Sequence, residues 1–224
     1  DHLDILRDQA DSLARDLDAS PHGVLEDYPT ECYPIDVFMA VEMIRRADEL
    51  LGTDHSAFLQ RERRPFLPPY TDDIGLPPFV SHAHSGVPRD TSRGTGNSYI
   101  LLFAPDLYPD LAQRWYALYE EHFWQERMGC AGFREYPRHD RRRDWWYDVD
   151  AGPVIGGFSP AANAFGLGAA RANGRLDHAY LLGTQVLASA WPLPGGRWLG
   201  TRFLSHPEHA PHLGTACLLY LLTR

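Results

Sequence analysis

The residues of this chain best suited to moving protons fall in four short stretches: TECYPIDV (30–37), SRGTGNSY (92–99), YDVDAGPV (147–154) and SHPEHAPH (205–212). They supply Asp36, Asp148, Asp150 and Cys32 as candidate catalytic groups, and Tyr33, Arg93, Asn97, Trp146, Tyr147, His206 and His209 as candidates for holding a substrate. Asp148 and Asp150 stand two residues apart, so they cannot both cap one helix start. Crowded in a dry site, two such acids have their pKa values pushed apart, leaving one to donate a proton and the other to stabilise a cation. Glycoside hydrolysis, alcohol dehydration and carbocation cyclisation all need that division of labour, while each acid taken alone reads equally well as an N-cap. Asp36 follows Cys32 by four residues. It serves either as a complement to a helix dipole or as a general acid or base beside a thiol proton donor. His82 with His84, and His206, His209 and His212, reproduce no recognised zinc spacing, so neither metal nor cofactor is assigned.

These groups need elements to position them. Helical periodicity predicts an amphipathic surface helix over 4–18, a helix over 34–51 started by Pro34 and stopped by Gly52, and a shorter one over 55–66. The Pro- and Gly-rich span 67–95, with Phe79, His82 and His84, reads as a long loop covering a pocket. Further helices are expected from near Gly96, over 108–128, 153–172, 176–191 and 209–222, with loops at 130–147 and 197–207 and no convincing strand beyond a short extended WLGTRFL. The helix at 153–172 is small and apolar on nearly every side, so it belongs in the interior.

Apolar helices begin near Pro34, Gly96, Pro153 and Pro207, roughly 55–60 residues apart, each followed by a more amphipathic helix or by the chain end. The expected fold is therefore all-α: a single-domain (α/α) toroid of about four helical hairpins over residues 1–224, with long loops at one end. An irregular helical bundle is the other arrangement the pattern allows. In the toroid register the four reactive stretches converge at one pocket.

Composition narrows the partners. The net charge is −9 and lysine is absent, so there is no basic footprint for nucleic acid. Three cysteines, without a CxxC pair, suit a reducing compartment and a cytoplasmic location. The longest apolar run, 213–222, falls short of the ~20 residues of a membrane-spanning helix. The chain begins with Asp, so a leader, an anchor or further helices can precede it, and oligomeric state is left open.

The motifs CYPxDV, RGxGNS, GFREYP and DxDAGPVIxG, in this order, resemble a bacterial family of (α/α) toroid domains similar to the linalool dehydratase-isomerase domain, over about residues 30–222. That resemblance implies acid–base work on an allylic alcohol by Asp, Tyr, His and Cys side chains without a metal, for which Asp36, Cys32, Tyr33, Asp148 and His206 or His209 are the matching types here. Cys130 and Cys217 do not match the family's catalytic cysteines by motif. The expectation is a metal-independent lyase, isomerase or cyclase acting on a small, largely apolar alcohol or alkene, terpenoid or polyketide-like. A glycan-active toroid and a non-catalytic helical ligand-binding or scaffold domain are the alternatives.

Overall fold

The computed structural model describes residues 1–127, 129–189, 191–193, 197–199 and 213–223. The chain is mostly helical with small separate two-stranded sheets, and it divides into two compact units, Asp1–Ile100 and Leu101–Arg224. Among the described residues no helix is long and apolar enough to cross a membrane.

In the first unit, α1 (His2–Ala19) opens with a capping box at Asp1 and buries Ala10, Ala14 and Leu17. It meets α2 (Pro34–Leu51) through His55, whose ring nitrogens lie 2.7 Å from Asp48 and 3.2 Å from Asp11. Helix α2 starts at Pro34 because proline fits the first turn, and stops at Gly52, whose φ of +67° gives a left-handed cap. Its inward face is Val37, Phe38, Val41, Ile44 and Ala47. Glu42 is also fully buried, an exception to burying only apolar groups, and is neutralised by Arg45 and Arg46. The expected helix at 55–66 splits into α3 (Ser56–Arg61) and a 3-10 turn, Arg64–Phe66.

The long loop after Phe66 is not slack. Asp72 accepts from the amides of Ile74, Leu76 and Ser92, tying its two ends together. Strand β1 (Glu31–Cys32) pairs antiparallel with β2 (Ser81–His82).

Helix α4 (Gly94–Leu107) begins in the first unit and continues into the second. Then come α5 (Pro109–Phe123), the hairpin β3 (Trp124–Arg127) and β4 (Cys130–Phe133), the hairpin β5 (Trp145–Asp148) and β6 (Gly152–Ile155), α6 (Pro160–Ala172), α7 (Leu176–Ser189), the pair β7 (Trp191–Leu193) and β8 (Arg197–Leu199), and α8 (Leu213–Thr223). These hairpins correct the expectation that strands are absent. The helix expected over 108–128 ends five residues early. Trp124–Arg127 instead turns back at Gly129, φ +74°, and pairs with the segment read as the start of a loop.

The expected interior helix is present but starts later, at Pro160 rather than Pro153. Ser159 supplies its N-cap, accepting from the Ala162 amide, and Pro160 takes the first turn. The segment before it prefers extended pairing because Trp145, Trp146 and Tyr147 are strong strand formers opposite Pro153, Val154 and Ile155. Within α6 the small residues permit close approach: a Cβ on Gly166 would lie 2.5 Å from the Phe133 ring, and one on Gly168 2.6 Å from Leu102 and 2.7 Å from Leu221.

Candidate functional site

The first unit gathers five of the expected site residues into one cluster. The β1–β2 pairing sets Cys32 opposite Ser81, and Pro34 launches α2 immediately after Tyr33, so the thiol, the phenol and Asp36 share one junction. Asp27 joins them through a tight turn: the Asp27 and Tyr28 amides both donate to the Glu31 carbonyl, and Thr30 adopts a φ of +67°. The turn carries the Asp27 carboxylate back to accept from the Tyr33 amide at 2.6 Å.

Across the junction the Phe79 ring stands edge-on to Tyr33, 5.5 Å between centroids, and carries the Arg93 guanidinium 4.0 Å from its centroid. Arg93 is held there by Asp90 at 2.9 Å, and a Cβ on Gly96 would sit 3.4 Å from the same ring. Asn97 is buried and spends its amide on the Pro77 and Arg93 carbonyls, so it fastens α4 to the loop rather than facing a substrate.

The electrostatics of this junction favour protonated groups. Cys32 is 0% exposed, and its thiol is pushed up to about 12, chiefly by burial and then by the charges of Asp27 and Asp36. It is a held proton and not a nucleophile at neutral pH. Asp36 keeps solvent access on the first turn of α2, yet its pKa is raised, first by the partial burial of its carboxyl and then by Asp27. Cys32 and Asp36 thus share an environment that disfavours negative charge. Asp27 and Phe79 complete the cluster. Asp27 went unnoticed in the sequence because its approach depends on the turn at Tyr28–Glu31, which the Tyr-Pro-Thr sequence could have signalled.

The second unit places its acids differently. Asp148 and Asp150 do not precede a helix: Asp148 ends β5, opposite Gly152, and Asp150 lies in the turn to β6. Asp148, 7% exposed, accepts from the Asp150 and Ala151 amides at 2.9 Å each and from the Tyr136 hydroxyl at 2.8 Å. That is the role of a turn clamp. Asp150 is exposed at the tip, and Trp146 and Tyr147 are exposed along the strand. The picture of two acids sharing one dry site is therefore replaced by one buried clamp and one solvent-facing carboxylate. His206 and His209 lie outside the described residues.

A further polar cluster in this unit was not foreseen. His178 is buried under Trp124, ring centroids 3.8 Å apart, and its Nδ1 is 3.0 Å from the Tyr116 hydroxyl. Burial first, and then Arg175, lower its pKa. Arg175 is in turn paired with Glu120 and Asp177. Buried between Trp124 and Tyr116, the ring acts as a packed core group that fixes α7 to α5. Among the described residues no group of three or more His, Cys, Asp or Glu side chains is arranged to hold a metal ion. Compared with known proteins, the chain matches no family model and no curated sequence.

Proposed function

We propose that the chain is an acid–base enzyme, a lyase, isomerase or cyclase acting on a small, largely apolar alcohol or alkene of terpenoid or polyketide-like kind. The observation that carries this reading is Asp36, a solvent-accessible carboxyl with a raised pKa beside a thiol that keeps its proton. A carboxyl of that kind suits protonation of a poor leaving group. In the reaction Asp36 protonates the substrate hydroxyl, the C–O bond breaks, and water departs with the bonding electrons to leave a carbocation. Asp27 then removes a proton from the neighbouring carbon and the C–H pair closes the alkene. For isomerisation, water adds at the far end of an allylic cation and surrenders its extra proton to the Asp36 carboxylate, which restores the acid. Tyr28 and Tyr33, edge-to-face at 5.9 Å beside this junction, are the aromatic groups that would attract the cation.

The same reading takes the whole chain as an (α/α) toroid-like set of helical hairpins. It is supported by the interior, small-residue α6 being followed by α7 with its exposed Tyr180 and Leu187.

Turnover of a panel of allylic terpenoid alcohols, followed by gas chromatography, tests the reading. Asp36→Asn should lower turnover by about 10²–10⁴-fold, the usual worth of a general acid. Wild-type turnover should fall as pH rises through the raised pKa of Asp36, because the reactive species is the protonated acid. Full activity in Asp36→Asn, with an unchanged pH profile, removes the proposal. A glycan-active alternative is favoured by one observation: Trp145 and Tyr147 lie exposed on the same face of the β5–β6 hairpin, a platform on which sugar rings stack. Retention on an insoluble polysaccharide that disappears in Trp145→Ala would select it.

A further inference from the structure

The second unit contains an apolar cavity of about 370 Å³ between β4, β6, α6, α7 and α8. Its walls include Ala131, Ile155, Phe158, Ala164, Leu182 and Leu218, and no ionisable carboxylate, imidazole or cationic side chain is among the described lining residues. Its two amide side chains are already committed. Asn163 accepts from the Phe133 amide and donates to the Phe133 and Ser159 carbonyls. Gln185 donates to the Ala131 and Leu181 carbonyls and accepts from the Ala131 amide. The Ser159 hydroxyl caps α6.

From these features we infer that this cavity binds a neutral lipophilic small molecule through hydrocarbon contact, with little polar recognition. The volume lies at the low end of the range of about 300–1,000 Å³ that small-molecule sites occupy. A protein partner would need about 800 Å² of surface per side, which is a different kind of site. An anionic amphiphile would bring a charge to a wall whose described residues offer no cation to pair it. The cavity is open at Ile155, which is 52% exposed, and at Cys130, whose exposed thiol lies in the lining. The site stands on residues of the second unit alone and does not depend on the acid–base reading.

Fluorescence titration of the full chain with the neutral probe N-phenyl-1-naphthylamine tests it, with no turnover involved. The wild-type chain should bind saturably at one site, and the bound probe should slow alkylation of Cys130 by iodoacetamide at least fivefold. Ile155→Asp should weaken binding at least tenfold. Leu176→Asp, at an exposed leucine outside the cavity, should leave it unchanged and so serves as the control for general surface stickiness. 1-Decanol should displace the probe at a concentration at least tenfold lower than decanoate requires. Absence of saturable binding, equal weakening in both variants, or equal competition by decanoate would each overturn the inference.

Discussion

Glu62 shows how a single residue can work against its own fold. Its carboxyl is fully buried and Oε1 has no hydrogen-bond partner; Arg64 approaches Oε2 only to 3.5 Å. Burial, and to a smaller extent Asp18, push its pKa up to about 7 from 4.5, against the opposing pull of Arg64 and Arg61. Below the unfolded value the group is neutral in both states and costs nothing. As pH rises towards the folded value the unfolded chain releases the proton first, and stability is lost until the cost levels off above about pH 7. At 1.36 kcal/mol per pKa unit that cost is about 3 kcal/mol. Glu62→Gln should therefore be more stable than the wild-type chain at pH 8 and nearly equal to it at pH 4, as read by denaturant unfolding. A difference independent of pH would mean that Glu62 titrates alike in the folded and unfolded chains, and that burial does not raise its pKa. Gly23 leaves the room that this carboxyl occupies, since a Cβ there would lie 2.5 Å from Oε1.

At the scale of elements, the β5–β6 hairpin is where sequence and structure part. The bounds of α2 were legible because Pro34 and Gly52 are unambiguous signals with one physical meaning each. Pro153 carries the same signal falsely: it resembles a first-turn proline, yet it sits opposite Tyr147 in a strand, and the true start is Ser159–Pro160. Four-residue strands leave too short an alternation to stand out, and exposed tryptophans blur it further. That Cys32, Tyr33, Asp36 and Arg93 lie near one another was legible from residue type and junction, whereas the structural use of Asn97, the approach of Asp27 and the bridging role of Phe79 depend on turns that spacing does not display. The clamp by Asp148 can be tested directly. Asp148→Ala strips the acceptor from two amides and from the Tyr136 hydroxyl, and should cost about 2–3 kcal/mol in thermal or denaturant unfolding. Asp150→Asn, at the exposed tip, should stay within about 0.5 kcal/mol. If Asp148→Ala left stability unchanged but removed turnover, the acid would return to being catalytic.

At the scale of the molecule, the boundary between the two units falls inside α4, after Ile100, rather than in a linker. Contacts cluster on either side of that point, but the backbone through it is one hydrogen-bonded helix. A fragment ending at Ile100 would keep only the first seven residues of α4, too few for an isolated helix to persist in water when lengths of about 12–15 residues are already marginal. It would also cut the helix that Asn97 and Ser98 anchor, the former to the Pro77 and Arg93 carbonyls and the latter to the Gly94 carbonyl at 2.6 Å. A fragment of residues 1–107 retains the whole helix. Circular dichroism and limited proteolysis should therefore find 1–107 folded more stably than 1–100, with the loss in 1–100 reaching the Phe79–Arg93 contact because Arg93 lies immediately before α4. Equal stability of the two fragments would show that the first unit holds that junction without the continuous helix, and that Asn97 and the Asp72 clamp suffice to fix it.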